Sequence, residues 1–157
     1  MERNKKTFYL TYDGLKEVKK RYFMFKKSRY AKLRNGVPPS FESDTINSDY
    51  LFFLQDLEII NKKIEDLKEI LENAKIISTP PEKVRNTVSL GAEVVLKNNN
   101  NQTERLQIVG TAETDPSKGK ISNESPLGKI LLGKTVGDRI YSPVAREEKY
   151  TIQEISY

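Results

Sequence analysis

The feature that most constrains this chain is a long apolar repeat near its middle. The repeat has an unbroken 4-3-4-3-4 spacing, and its members are Phe53, Leu57, Ile60, Ile64, Leu67 and Leu71. This spacing places the side chains on one face of a helix and is typical of a coiled-coil seam. Asn47 or Ser48 can cap the helix, and Asp49 falls in its first turn. The pattern therefore predicts a long helix that begins near residue 48.

Residues 7–11 form a short apolar lead-in, and Thr11 can act as an N-cap. A partner helix is therefore predicted from about residue 12 to residue 34. Its apolar side chains follow a 3-4-3 spacing, and they are Leu15, Val18, Tyr22 and Phe25. The next positions of this seam are Arg29 and Lys32, so the apolar stripe weakens toward the end of the helix. Gly36 and Pro38-Pro39 stop the helix. Because only about a dozen residues join the two helices, antiparallel packing is expected.

The chain changes in character after the second helix. Pro80-Pro81 predicts a stiff linker. Short β-rich runs follow, and the first two form a hairpin around an Asn-rich turn at 98–101. Ser125 and Pro126 begin one short helix that Gly133 ends. Two closing strands complete the domain, and the alternation of the last one slips by one residue near Gln153, as a β-bulge would cause.

These patterns predict an α+β fold. An N-terminal antiparallel coiled-coil hairpin occupies residues 1–77, and a linker occupies residues 78–87. A small β-sheet domain with one short helix occupies residues 88–157.

Composition excludes several kinds of chemistry. The chain has no Cys and no His, which removes disulfides, thiolate metal sites and any mechanism that needs an imidazole base. No apolar run approaches the roughly 20 residues of a membrane span, and no signal-peptide core follows Met1. A soluble cytoplasmic protein is therefore expected.

Charge is distributed unevenly along the chain. Residues 1–36 contain twelve Lys and Arg but three Asp and Glu, whereas residues 37–74 contain three and nine. Two helices of opposite charge attract each other. The net charge of +5 favours a nucleic-acid or nucleoprotein partner. Charged faces that only keep a long arm in solution would give the same distribution.

Six short motifs stand out along the chain, and they are Leu10-Thr11-x-x-Gly14-Leu15, Asn47-Ser48-Asp49-Tyr50, Gln107-Ile108-Val109-Gly110, Gly119-Lys120-Ile121-Ser122, Ser125-Pro126-Leu127-Gly128-Lys129 and Leu132-Gly133-Lys134-Thr135-Val136-Gly137-Asp138. Together these motifs resemble those of the Gre-type bacterial transcript cleavage factors (GreA/GreB). They extend over nearly the whole chain, and those of the C-terminal half are the more specific.

The resemblance implies a fold and a mechanism. The C-terminal domain would have an FKBP-like fold and bind RNA polymerase near its secondary channel, with Ser125 and Pro126 as candidate docking residues. The same two residues can equally serve only as a helix cap. The helical arm would reach the polymerase active centre and stimulate its cleavage of backtracked RNA. The protein would then be an accessory factor and not itself an enzyme, and it would act as a monomer.

The resemblance also implies roles for individual residues. Acids at the tip of the arm would help the polymerase to hold a second Mg²⁺, with no cofactor bound stably by this chain alone. Carboxylates suit this hard cation, and the candidates are Glu42 and Asp44, with Asp49 in reserve. Basic residues of the first helix would steer the nascent RNA 3′ end, and the candidates are Arg29, Lys32 and Arg34. A solvated helix face would explain these basic residues equally well.

One departure from the family pattern affects the tip. When Asn47 and Tyr50 are aligned with the family, the two expected acids fall on Ser43 and Ile46. Glu42 and Asp44 each lie next to one expected place. They could act in place of the family acids, the tip could have lost cleavage while still entering the channel, or they could be ordinary solvated loop acids.

Three functions therefore stay open at this point. The first is a cleavage-stimulating elongation factor, and the second is a Gre-like channel occupant that modulates or inhibits transcription without cleavage. The third is an RNA-binding or scaffold hairpin unrelated to polymerase. Prolyl isomerase activity is not expected, because nothing in the sequence indicates an aromatic-lined proline pocket and Trp is absent.

Overall fold

The structure is a computed structural model that describes residues 6–42, 45–142 and 149–157, with the backbone alone described for Glu42. The helices are α1 (Tyr12–Arg34), α2 (Ser48–Glu72) and α3 (Pro126–Leu131). The strands are β1 (Phe8–Leu10), β2 (Phe41–Glu42), β3 (Thr45–Ile46), β4 (Ala74–Ile76), β5 (Glu93–Asn98), β6 (Thr103–Val109), β7 (Lys120–Ser122), β8 (Arg139–Tyr141) and β9 (Lys149–Ser156). The predicted α+β class is confirmed.

The chain packs as two compact units. Residues 15–73 form one unit, and the described residues before 15 and after 73 form the other. The first unit is the helical hairpin, and the second contains the β-sheet domain. The predicted domain limits of 1–77, 78–87 and 88–157 stay a prediction.

Both long helices follow the predicted pattern. All six seam residues of α2 are buried or half-buried, with Phe53 and Leu67 the most enclosed. Val18 is fully buried on α1, whereas Arg29 in the same seam is exposed. The apolar stripe of α1 therefore weakens toward its C-terminal end, as predicted.

The β domain is built on a five-stranded sheet in the order β7-β6-β5-β9-β8. Adjacent strands are antiparallel except for β6 and β7, which run parallel. The register between β5 and β9 shifts because Val95 pairs with Glu154 whereas Leu96 pairs with Ile152. Gln153 is thus the extra residue of a bulge, as the sequence alternation predicted.

The core of this domain lies between one face of the sheet and α3. Its buried members are Val88, Ala92, Val94, Leu96, Leu106, Ile108, Leu131, Ile140 and Ile152. On β5 the buried residues Val94 and Leu96 alternate with half-buried ones, which is the period of a sheet with one covered face. The helix α3 is held by its cap, because the Ser125 hydroxyl accepts a hydrogen bond from Gly128 N at 3.0 Å.

The sequence did not predict the pairing of β1 with β4. These two strands are parallel, and they bring Phe8 opposite Ala74 and Leu10 opposite Ile76. Residues 7–11 were expected only as an apolar lead-in to α1. Three-residue strands carry too little periodicity to be recognised from sequence.

The turn before β8 contains a titratable group whose effect on stability can be tested. Hydrogen bonds from the Thr135 backbone N–H (2.8 Å) and hydroxyl (3.2 Å) hold the pKa of Asp138 below its ordinary value. The charged carboxylate therefore stabilises the folded state above the unfolded pKa of about 3.9, and this contribution is lost as pH falls through the lower folded pKa.

We expect Asp138→Ala to lower the thermal midpoint at neutral pH, with the difference from the unchanged protein shrinking in acid. Thermal melts across the acidic range check this, with Glu124→Ala as a control at an exposed acid. A difference that stays constant down to the lowest pH would contradict the role of the ionised carboxylate.

Candidate functional site

Polar contacts help to hold the helical hairpin together near its closed end. The Arg29 side chain donates to the Asn61 side-chain oxygen at 2.7 Å, and Lys32 Nζ lies 2.8 Å from an Asp56 carboxylate oxygen. Lys32 Nζ is also 5.2 Å from the centre of the Phe53 ring. The later residue of α1 contacts the earlier residue of α2, so the two helices are antiparallel.

A short β-hairpin forms the tip between the two helices. Phe41 pairs with Ile46, and Glu42 pairs with Thr45, across β2 and β3. The Asn47 N–H donates to the Ser40 carbonyl at 3.1 Å, which closes the base of the hairpin. We call the described residues 40–42 and 45–47 the tip hairpin.

The tip hairpin is joined directly to the start of α2. Asn47 is the N-cap, and its side-chain oxygen accepts from the Asp49 backbone N–H at 2.9 Å. Asn47 is almost fully buried, at 9% exposure. The predicted cap is therefore confirmed, and it is the residue that connects the tip hairpin to the hairpin of helices.

The tip hairpin exposes large apolar side chains. Phe41 is 62% exposed, and its cross-strand partner Ile46 is 58% exposed. Residues directly opposite each other in an antiparallel pair point to the same face. The position at which the family resemblance expects an acid is therefore occupied by an exposed isoleucine that stands beside a phenylalanine.

Two of the candidate acids, Glu42 and Asp49, lie at or next to this hairpin. Glu42 belongs to β2 by its backbone, and Asp44 lies outside the described residues. Asp49 is exposed in the first turn of α2, where a carboxylate also suits the helix dipole. Within the described parts of the chain, no group of three or more His, Cys, Asp or Glu side chains is placed to hold a metal ion. The role of these acids stays a prediction.

The candidate basic residues are placed differently from one another. Arg29 and Lys32 contact α2, as described above, whereas Arg34 is exposed in the last turn of α1. Asp56 is largely exposed, at 61% for its side chain, so its ion pair with Lys32 contributes at most about 1 kcal/mol. Such a pair can open at low cost, and RNA steering by these residues stays a prediction.

The candidate docking residues begin α3. The Ser125 hydroxyl donates to the Ser122 carbonyl at 2.6 Å and accepts from Gly128 N, so it is fully used as a cap. Pro126 is exposed at the first helical position, where a missing N–H costs nothing. Docking through these residues stays a prediction.

Sequence reasoning missed a buried carboxylate that contacts the residue capping the start of α1. Glu113 is 6% exposed, and it accepts from Thr11 N at 2.8 Å, Thr11 Oγ1 at 2.5 Å and Lys120 Nζ at 2.9 Å. The Thr11 hydroxyl in turn accepts from Gly14 N at 3.0 Å, which confirms Thr11 as the N-cap of α1. No local pattern marked Glu113, because its partner lies 102 residues earlier in the chain.

The fold and the tip define a two-unit protein that combines a β-sheet domain with an antiparallel helical hairpin ending in a short β-hairpin. Across the described residues, none of the helices is long and apolar enough to cross a membrane. The sequence profile described as "Transcription elongation factor, GreA/GreB, C-term" matches residues 82–157.

Relatives named transcription elongation factor GreA match most of the chain. The one from Shouchella clausii is 37% identical over 139 residues, which cover 86% of this chain and 87% of the relative. The one from Lactococcus lactis subsp. lactis is 34% identical over 148 residues, which cover 88% and 90%. Because this identity extends over most of both chains, the protein belongs to the GreA/GreB family of transcription elongation factors.

Two solved structures are also similar. GreA factor homolog 1 (Gfh1) of Thermus thermophilus is 24% identical, covers 97% of this chain and 100% of its own, and has a TM-score of 0.43. The GreA/GreB factor from Nitrosomonas europaea is 26% identical, covers 68% of this chain and 93% of its own, and has the same TM-score of 0.43.

Proposed function

We propose that this protein is an accessory elongation factor that binds RNA polymerase near its secondary channel and stimulates cleavage of backtracked RNA by the polymerase. It would act in the cytoplasm as a monomer. The observation that carries the proposal is the tip hairpin, which is fixed to α2 by the Asn47 cap and lies within an acidic segment. Family membership supports the same function.

The acids of the tip fit a shared metal site rather than a metal site of this chain alone. Glu42 and Asp44 offer the oxygen ligands that Mg²⁺ prefers. Two carboxylates leave most coordination positions of the ion to other ligands, so the polymerase and the RNA would supply the rest. A second Mg²⁺ would stabilise the attacking and leaving oxygens of phosphodiester hydrolysis. The role of this protein would be to bring carboxylates to the metal.

The basic residues of α1 would contribute through charge. Arg34 is exposed at the end of α1, and Lys32 and Arg29 precede it within the last two turns of the helix. Cations along this helix attract the RNA backbone through its phosphates without reading its sequence. They would keep the displaced 3′ end near the tip hairpin.

The proposed role of the two tip acids in cleavage is tested by replacing both of them. We expect Glu42→Ala combined with Asp44→Ala to reduce stimulated cleavage in stalled, backtracked elongation complexes by about 100-fold or more, because a metal ligand contributes several kcal/mol to the transition state. Binding to core polymerase should persist. Glu65→Ala combined with Glu69→Ala is the matched control, since it removes two exposed acids from the body of α2.

Each result of this assay separates the candidate functions. Normal cleavage by the tip variant would show that Glu42 and Asp44 do not assist the metal. If the unchanged protein fails to bind core polymerase, the proposed function itself is wrong.

A second function is favoured by one specific observation. Ile46 occupies the place of a family acid and is 58% exposed. A tip that presents an apolar side chain at this place could occupy the channel and modulate or inhibit transcription without cleavage. In the assay above, this function predicts an unchanged protein that binds polymerase tightly and never stimulates cleavage.

A further inference from the structure

We propose that Phe41 and Ile46 form a docking element that inserts into an apolar pocket with a basic rim on the surface of a protein. The inference rests on the proposed function, because RNA polymerase would be the protein that carries this pocket. It concerns binding through the tip and does not depend on whether the tip acids assist cleavage.

The first argument is exposure. Phe41 and Ile46 keep well over half of their surface in solvent, although they face each other across a β ladder where their side chains can contact. Adjacent exposed apolar side chains on a projecting turn mark interaction sites more often than single ones do. Burying one such side chain in a partner strengthens binding by about tenfold or more.

The second argument is preorganisation. The ladder of β2 and β3, the Asn47–Ser40 backbone hydrogen bond and the capping of α2 by Asn47 hold the two side chains in place. Pro38-Pro39 restricts the segment that enters the hairpin. Binding through a rigid element loses less conformational entropy than binding through a flexible loop. The tip hairpin is therefore better suited to docking than an irregular loop would be.

The third argument is charge, and it indicates which kind of partner the tip hairpin binds. The segment 36–50 contains three acids, Glu42, Asp44 and Asp49, and no Lys or Arg. Nucleic-acid phosphates are repelled by such a segment, whereas a protein pocket with basic residues at its rim is attracted. An aromatic anchor surrounded by a polar rim is also the usual composition of a protein interface hot spot.

Affinity for core RNA polymerase tests the proposal. We expect Phe41→Ala combined with Ile46→Ala to weaken binding, so that the dissociation constant rises by about 30-fold or more. Phe23→Ala combined with Ile59→Ala is the matched control, because it removes the same two residue types at 63% and 52% exposure from the helices. The control should bind as the unchanged protein does. Thermal melts should show all three proteins equally folded, because every changed side chain is exposed.

The class of partner is tested separately by photocrosslinking. A benzoylphenylalanine introduced in place of Phe41 should crosslink to a polypeptide of the polymerase in a stalled elongation complex. Crosslinking to the RNA alone would overturn the choice of a protein pocket. If Phe41→Ala combined with Ile46→Ala binds polymerase as tightly as the unchanged protein does, the proposal of a docking element is wrong. The proposed function would not be affected by that result. Failure of the unchanged protein to bind polymerase would overturn both.

Discussion

Gly110→Ala is expected to give one of the two largest losses of stability among the substitutions proposed for this chain. A Cβ atom at this position would lie 1.9 Å from the carbonyl oxygen of Tyr9, which is far too close for two atoms that are not bonded to each other. The clashing atom belongs to the backbone of β1, so no side chain can rotate away. We expect a loss of about 3 kcal/mol, at the upper end for overpacked sites, or release of β1 from its position.

Two measurements check this expectation. Chemical denaturation gives the free energy of unfolding, and hydrogen exchange at residues 8–10 and 74–76 reports whether β1 stays paired with β4. Gly36→Ala is the control, because Gly36 has a φ of 95° with no atom within 4 Å of the added Cβ. It should lose only about 1 kcal/mol from backbone strain. Equal losses at Gly110 and Gly36 would show that the close approach to Tyr9 is not what requires glycine.

Glu113→Ala is expected to have an effect of similar size. Its carboxylate is 3% exposed as a side chain, and it pairs with Lys120 while accepting two hydrogen bonds from Thr11. Removing one member of a buried ion pair leaves the other charge and the hydrogen-bond donors without a partner, which typically costs 3–5 kcal/mol. We expect a loss of about 3 kcal/mol, with increased hydrogen exchange in the first turn of α1.

A matched control separates burial from pairing. Glu93 forms an ion pair with Arg105 at 2.7 Å, but their side chains are 36% and 65% exposed. Because solvent screens this pair, Glu93→Ala should lose less than about 1 kcal/mol. Lys120→Met provides a second probe, since it leaves the Glu113 carboxylate buried without its cation and should also destabilise. If Glu113→Ala costs no more than Glu93→Ala, the buried network is not what holds the start of α1.

Two of the glycines named in the family motifs now have a structural reason. Gly110 permits the backbone of β1 to approach, and an added Cβ at Gly14 would lie 2.2 Å from the Glu113 carboxyl group. The motifs that carried the resemblance thus include residues at which two distant parts of the chain come into close contact. Neither reason was visible in the sequence, because both depend on which segment lies opposite the glycine.

The sequence by itself determined the helical hairpin, the caps and much of the sheet. The 4-3-4-3-4 repeat, Asn47 and Thr11 as caps, the Asn-rich turn and the bulge at Gln153 all appear in the structure as predicted. Each of these features depends on residues close together in the chain, so its period or its turn chemistry can be recognised locally.

Only the tertiary structure decided which distant residues meet and which apolar residues remain exposed. The pairing of β1 with β4, the contact of Glu113 with Thr11 and the close approach of Gly110 to Tyr9 each join segments far apart in sequence. Phe41 and Ile46 are residue types that are usually buried in strands, yet both are largely exposed to solvent in the tip hairpin. Burial is a property of the packed chain and not of a residue type, so the sequence could name the helical hairpin but not the surface at its tip.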